Sequence, residues 1–156
     1  VTLALVAGYF LWTWLFPSPE LVIRKRLSEV ARLASFGSNE APLAKMANSG
    51  KLLNYFAPEV EVVIDVAGRP QYSVTGIEDF RNAVMGARAT LNSLKVELLD
   101  ISVHLDPTKR SASVVLAAKA QVGGESDLFV ERMRFQMQKG ERGWLISRLE
   151  TVPTLQ

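Results

Sequence analysis

The polar and apolar positions of this chain change period several times. Residues 1–16, VTLALVAGYFLWTWLF, are apolar almost without a break, and Thr2 and Thr13 are the clear polar exceptions. From Leu21 to Phe36 the period is helical. Ile23, Leu27, Val30 and Ala34 form a stripe that Leu33 widens, with Arg24, Arg26, Glu29 and Arg32 between them. Gly37 is the expected stop. Residues 38–56 predict a second helical stretch, interrupted near Asn48-Ser49-Gly50 and ending in LLNYF ahead of Ala57-Pro58.

The period then falls to two. Val60, Val62, Ile64 and Val66 alternate with Glu59, Glu61, Val63 and Asp65, which predicts a strand over 59–66. Gly68-Arg69-Pro70 turns the chain, and Gln71 to Val74 can pair back as a short strand. Thr75-Gly76-Ile77-Glu78 reads as a capping box, opening a helix striped by Ile77, Phe80, Val84, Ala87 and Leu91. Long strands are predicted over 94–106, 111–122 and 128–139, and a shorter one over 144–152. Polar parity changes at Leu98-Leu99, the mark of a β-bulge. Asp106-Pro107-Thr108-Lys109, Gly123-Gly124 and the run 139–143 supply the turns. Helices lead and hairpin-joined strands follow, so the fold class is α+β, a bent antiparallel sheet wrapped round helices.

Composition sharpens this picture in two places. The 156 residues suit one domain, or one domain with a tail, and 48% hydrophobic with 22% charged is an ordinary globular balance. Zero Cys and one His, His104, leave no disulfide framework, no thiolate zinc site and no multi-histidine metal site. No metal and no cofactor is expected. A net charge of +2 without a basic–aromatic stripe gives no sign of nucleic-acid binding. The charges are unevenly placed: the first is Glu20, and every Lys, Arg, Asp and Glu follows the apolar start. LFPSPE has no small-x-small cleavage site, and no face of the opening helix is polar. A membrane anchor over residues 1–17 is the reading that fits best, with Trp12 and Trp14 in an interfacial belt and Pro17 and Pro19 ending the helix. At about 1.5 Å per residue the apolar run reaches roughly 24 Å, short of a ~30 Å hydrocarbon core, so a further turn is expected ahead of Val1. Arg24, Lys25 and Arg26 are candidates for lipid headgroups, with a solvated helix face as the competing reading.

The stretch NYFAPEVEVVIDVAGRPQYSVTGIEDFRNAV and the closing GWLISRLE carry a resemblance. Over residues 21–152 the chain resembles the nuclear transport factor 2-like superfamily, the cystatin-like cone fold that includes SnoaL-like cyclases and ketosteroid isomerase. The resemblance implies a domain over 18–156 with three helices packed in the concave face of the bent sheet. It also sets Asp65 where ketosteroid isomerase has its general base, in an enzyme whose carboxyl groups take their roles from their surroundings. The family's oxyanion donors are a Tyr on the first helix, absent here, and a protonated Asp on a later strand, for which Asp100, Asp106 and Asp127 are weakly placed.

Further candidates come from the residues. Glu131 interrupts the apolar alternation of Phe129, Met133 and Phe135, and Arg148 shares the parity of Trp144 and Ile146, so a Glu131–Arg148 pair inside the cone is expected. Tyr55, Tyr72, Met85, Phe135 and Trp144 are candidate pocket walls. His104 shares a polar strand face with Asp100, Ser102 and Asp106 and reads as solvated. Val115 and Ala117 interrupt the polar pattern of the outer sheet face, where this fold commonly dimerises or meets partners. The functional expectation is a non-catalytic accessory subunit of a membrane complex, binding the bilayer and other subunits. Similar anchored domains of this fold at bacterial inner membranes have their bodies in the periplasm, and by that analogy the periplasm is expected; Arg24, Lys25 and Arg26 after the span favour the alternative, a cytoplasmic body, by the positive-inside rule. The alternative is a small-molecule-binding domain or isomerase-like enzyme using Asp65.

Overall fold

The computed structural model describes residues 1–15, 18–123 and 128–153. The expectations placed on Phe16, Pro17, Gly124 and Asp127 lie outside the described residues. Helix α1 spans Thr2–Leu15. Large apolar side chains from Leu3 to Leu15 are exposed on all its sides, Trp14 to 79%. At about 1.5 Å per residue the helix is roughly 21 Å long. Among the described residues no helix is long and apolar enough to cross a membrane. The anchor expected over residues 1–17 thus has no spanning helix behind it among the described residues, which hold instead a 14-residue exposed apolar helix.

Helix α2 spans Pro19–Ala34. Ser18 caps it by accepting the Leu21 N–H at 3.3 Å, and Pro19 takes the first position, where no N–H is needed. Ile23, Leu27, Val30 and Leu33 are buried on one side, as the stripe predicted. The helix ends before Gly37 because the chain turns to pair with the sheet: Phe36 N–H donates to Leu94 O at 2.8 Å and Leu94 N–H to Phe36 O at 2.9 Å. Helix α3, Pro42–Leu53, runs without the expected interruption. Ser49 is buried, and its hydroxyl donates back to Lys45 O at 2.7 Å, so a residue that often breaks a helix is satisfied within it.

The remaining elements are β1 (Phe56–Ile64), β2 (Tyr72–Thr75), α4 (Ile77–Thr90), β3 (Leu94–Leu105), β4 (Ser111–Val122), β5 (Leu128–Gly140) and β6 (Gly143–Thr151). They build one six-stranded sheet in the order β2-β1-β6-β5-β4-β3. The sheet is not wholly antiparallel as expected, because β1 pairs with β6 in parallel. Three hairpins after β3 return the chain to β1 running in its direction, and Ile146 N–H donates to Tyr55 O at 2.9 Å as they meet. The expected capping box does not form either. Thr75 is held in β2 opposite Glu61, Gly76 N–H bonds Val60 O at 2.8 Å, and Gly76 serves as N-cap at φ 91°, a region open to glycine.

Among the described residues the register shifts in three places, one of them in the β1–β6 pairing between Phe56 and Glu61. In β3 the register shifts between Leu99 and Ser102, with Asp100 at φ 52°, where the parity change placed a bulge. In β6 the pairing steps from Met137–Ile146 to Gln136–Arg148, leaving Ser147 as an extra residue. The concave face holds the core: the α2 stripe meets Val60 and Val62, Val114 and Leu116, Phe135 and Met137, and Trp144 and Ile146.

The β3–β4 turn is organised by Asp106, whose carboxylate accepts Thr108 Oγ1 at 2.7 Å, Arg110 N–H at 3.0 Å and Ser111 N–H at 3.2 Å. The Thr108 hydroxyl first, then the two backbone donors, hold its carboxyl down at about 2 from an ordinary 3.8. A folded-state pKa below the unfolded one adds stability that is present above about pH 4 and is lost as pH falls toward 2. Asp106→Asn is therefore expected to lower the melting temperature at pH 7. The gap from the unmodified chain should close progressively between pH 4 and pH 2.

Candidate functional site

The concave face is not completely filled. A cavity of about 300 Å³ lies between α2, α4 and the strands. Val30, Ala31 and Ala34 line it from α2, Phe80, Val84 and Ala87 from α4, and Val62, Val96, Leu98, Ala118, Met133, Phe135 and Leu149 from the sheet. The small side chains Ala34, Ala87 and Ala118 leave the room. One ionisable residue, Arg88, reaches this wall.

Arg88 is 4% exposed and fully engaged in holding the structure. Its guanidinium donates to the Glu40 carboxylate and to Leu33 O, and it stacks 5.0 Å from the Phe36 ring centre. These contacts bind α4 to the end of α2 and to the segment leading into α3. A buried cation needs this kind of pairing, since desolvation would otherwise make its burial prohibitive. Sequence reading missed the pair. The available signal was that Arg88 lies four residues after Val84, on the apolar stripe of α4.

Of the residues singled out from sequence, Phe135 reaches the cavity. Asp65 lies just past β1, exposed, outside the cavity wall. Its N–H donates to Thr151 Oγ1 at 2.9 Å and its carbonyl accepts that hydroxyl at 3.1 Å, which ties β1 to β6. Tyr72 is 53% exposed and Met85 44% exposed, so both face out. Trp144 is buried in the core away from the cavity wall, and Tyr55 lies beneath Arg26, 4.6 Å from the guanidinium carbon to the ring centre.

The expected Glu131–Arg148 pair does not form. The extra residue Ser147 flips the parity of β6, so Leu149 faces the cavity while Arg148 pairs with Glu61 on β1 and with Glu150 at 3.1 Å. Glu131 lies opposite Ala118, beyond the buried part of β5. The candidate headgroup cluster is also largely engaged by the body. Arg24 pairs with Glu20 at 3.2 Å and donates to Ile101 O at 2.8 Å, and Arg26 Nε donates to Trp144 O at 2.6 Å. Lys25 alone of the three is exposed. His104 is exposed on the outer sheet face, where Asp100, Ser102, Val115, Ala117 and Arg132 border a shallow depression with it. Among the described residues no group of three or more His, Cys, Asp or Glu side chains could hold a metal ion.

No family model and no curated protein matches this chain. Its backbone is similar to several solved structures. An NTF2-like protein from Pseudomonas putida matches with a TM-score of 0.65 at 9% identity, over 88% of this chain and 87% of that one. A candidate aromatic ring hydroxylase from Novosphingobium aromaticivorans matches with a TM-score of 0.65 at 16% identity, over 87% and 89%. A chain of the yeast complex between a deubiquitinase and its cofactor matches with a TM-score of 0.59 at 14% identity, over 86% and 96%. The chain thus has the NTF2-like cone fold. At such identities the likeness is one of fold, and fold does not select among the activities it hosts.

The buried pair provides the test of this site's architecture. Glu40→Ala leaves Arg88 buried without its counter-charge and is expected to cost about 3–5 kcal/mol in chemical denaturation. Adding Arg88→Met to that variant should restore most of the loss, because an apolar side chain of similar length then fills the wall.

Proposed function

We propose that this chain works by binding rather than by chemistry, as an accessory domain whose helix α1 sits in the apolar phase of a membrane beside other subunits. The carrying observation is α1 itself, a 14-residue helix with exposed large apolar residues on all sides. Apolar surface left in water costs on the order of 25 cal/mol per Å², and a helix apolar all round has no water-facing side to offset it. Lipid, or partner helices within lipid, would remove that cost. Embedding does not require this helix to cross the bilayer unaided.

The cone supports the non-catalytic half of the reading. Among the described residues its wall carries no carboxylate, hydroxyl or imidazole, and the one cation that reaches it, Arg88, is paired with Glu40. Asp65 lies outside it, so proton abstraction in the cone has no base to begin from.

A second reading is favoured by the cavity: the cone holds a small apolar molecule. A space of about 300 Å³ lies at the lower end of the range for small-molecule sites. Shape and apolar burial would select such a ligand, with no charge to recognise.

Two measurements separate these readings. In cell fractionation the full chain should pellet with membranes and be released by mild detergent but not by high salt. A variant lacking residues 2–15 should stay in the supernatant, and recovery of both forms as soluble monomers would overturn the tethered reading. For the cavity, Ala118→Phe should reduce uptake of a fluorescent apolar dye at least tenfold relative to the unmodified chain while preserving the cooperative melt. Equal uptake by the two would place the dye elsewhere.

A further inference from the structure

We infer that the turns β3–β4 and β5–β6 form a basic surface that docks on the anionic lipid headgroups of the bilayer receiving α1; the inference rests on the tethered reading above. Chain geometry comes first. Leu15, the last residue of α1, and Pro19, the first of α2, are four residues apart. Consecutive Cα atoms are 3.8 Å apart, so the end of α1 lies within about 15 Å of Pro19 whatever direction the helix takes. Pro19 borders a cleft with Thr108, Lys109 and Arg110 of one turn and Lys139, Gly140 and Glu141 of the other. Any bilayer that holds the end of α1 is therefore close to both turns.

The charge at this place is cationic and available. Lys109, Arg110 and Lys139 are exposed in the cleft, and Arg142, also exposed, follows Glu141 in the same turn and borders the neighbouring clefts beside Tyr55 and Leu145. Among the described residues none of the four takes part in an ion pair. Two carboxylates accompany them. Asp106 is turned into its own loop, where Thr108, Arg110 and Ser111 use it, and Glu141 remains at the rim. The sequence-adjacent cluster cannot serve in their stead, because Arg24 and Arg26 are bonded to β3 and β6 carbonyls and Lys25 alone is left. Folding thus draws the basic surface from residues some ninety to a hundred and twenty positions beyond the apolar helix.

The occupant follows from continuity with α1. The surface is beside the one element that belongs in an apolar phase, and the boundary of that phase is lined with headgroups. Each Lys or Arg close to an anionic bilayer favours binding by roughly fivefold, over a range set by a screening length of about 8 Å at physiological salt.

The test uses the full chain and vesicles of phosphatidylcholine with or without phosphatidylglycerol, read by flotation. The unmodified chain should bind both, and the anionic vesicles more tightly. Replacing Lys109, Arg110, Lys139 and Arg142 by Gln should remove that preference, a fall of roughly a hundredfold or more, and leave binding to neutral vesicles unchanged. High salt should do the same to the unmodified chain. An undiminished preference in the four-residue variant overturns this inference and leaves the tether standing. So does a preference lost through Lys25→Gln alone. Failure of the unmodified chain to bind either vesicle overturns the tether and the inference together.

Discussion

The seating of α2 on the concave face of the sheet is the contact on which everything else depends. Ile23 and Leu27 are completely buried there, and full burial of such a side chain contributes about 1.5–3 kcal/mol. The same helix is bolted at its flanks, Arg24 to the β3 bulge region through Ile101 O and Arg26 to β6 through Trp144 O. Its C-terminal end passes into the Phe36–Leu94 bridge, and Leu33 O receives Arg88 from α4. Its N-terminal end is where α1 joins the body. One element therefore sets the cone wall and the floor of the cavity, and its first residue, Pro19, lies beside the β3–β4 and β5–β6 turns.

That arrangement divides the molecule by chemistry. Among the described residues the interior is apolar apart from Ser49 and Arg88, and Arg88 is spent on holding helices together. The turns at the α1 end carry free cations, and α1 carries none. Here the bulges at Asp100 and Ser147 serve curvature, and the second of them turns Arg148 away from the interior. Asp65, beyond the strand end, is used through its backbone to join β1 to β6.

Most elements were legible because their periods are local. The stripe Ile23, Leu27, Val30 and Leu33 and the alternation in β4 and β5 each depend on neighbours within a few residues. The bulge near Leu99 was legible for the same reason, since a parity change is written in consecutive positions. What escaped depends on distant partners. Nothing near Glu59 announces that β1 pairs in parallel with a strand about ninety residues on. Thr75-x-x-Glu78 has the form of a cap, but a ladder with Glu61 claims Thr75 first. The Ser147 bulge gives no signal in SRLE, so simple alternation puts Arg148 on the wrong face and pairs it with Glu131. Within the candidate site, Phe135 followed from alternation, whereas Arg88 and Glu40 required knowing that α4 returns to the end of α2. Adjacency to α1 alone suggests the Arg24–Arg26 cluster for headgroups, whereas folding engages two of its three residues.

The central claim is that α1 resides in lipid while the cone stays in water, and the tryptophans report on it directly. Trp12 and Trp14 belong to α1, whereas Trp144 is 2% exposed in the core. In a Trp144→Phe variant all indole emission comes from α1. The decisive measurement is that emission in the presence of vesicles carrying brominated acyl chains. The account predicts a blue shift and strong quenching on vesicle addition, with the emission of Trp144 in a Trp12→Phe, Trp14→Phe variant left unquenched. Unchanged α1 emission in the presence of such vesicles would contradict it.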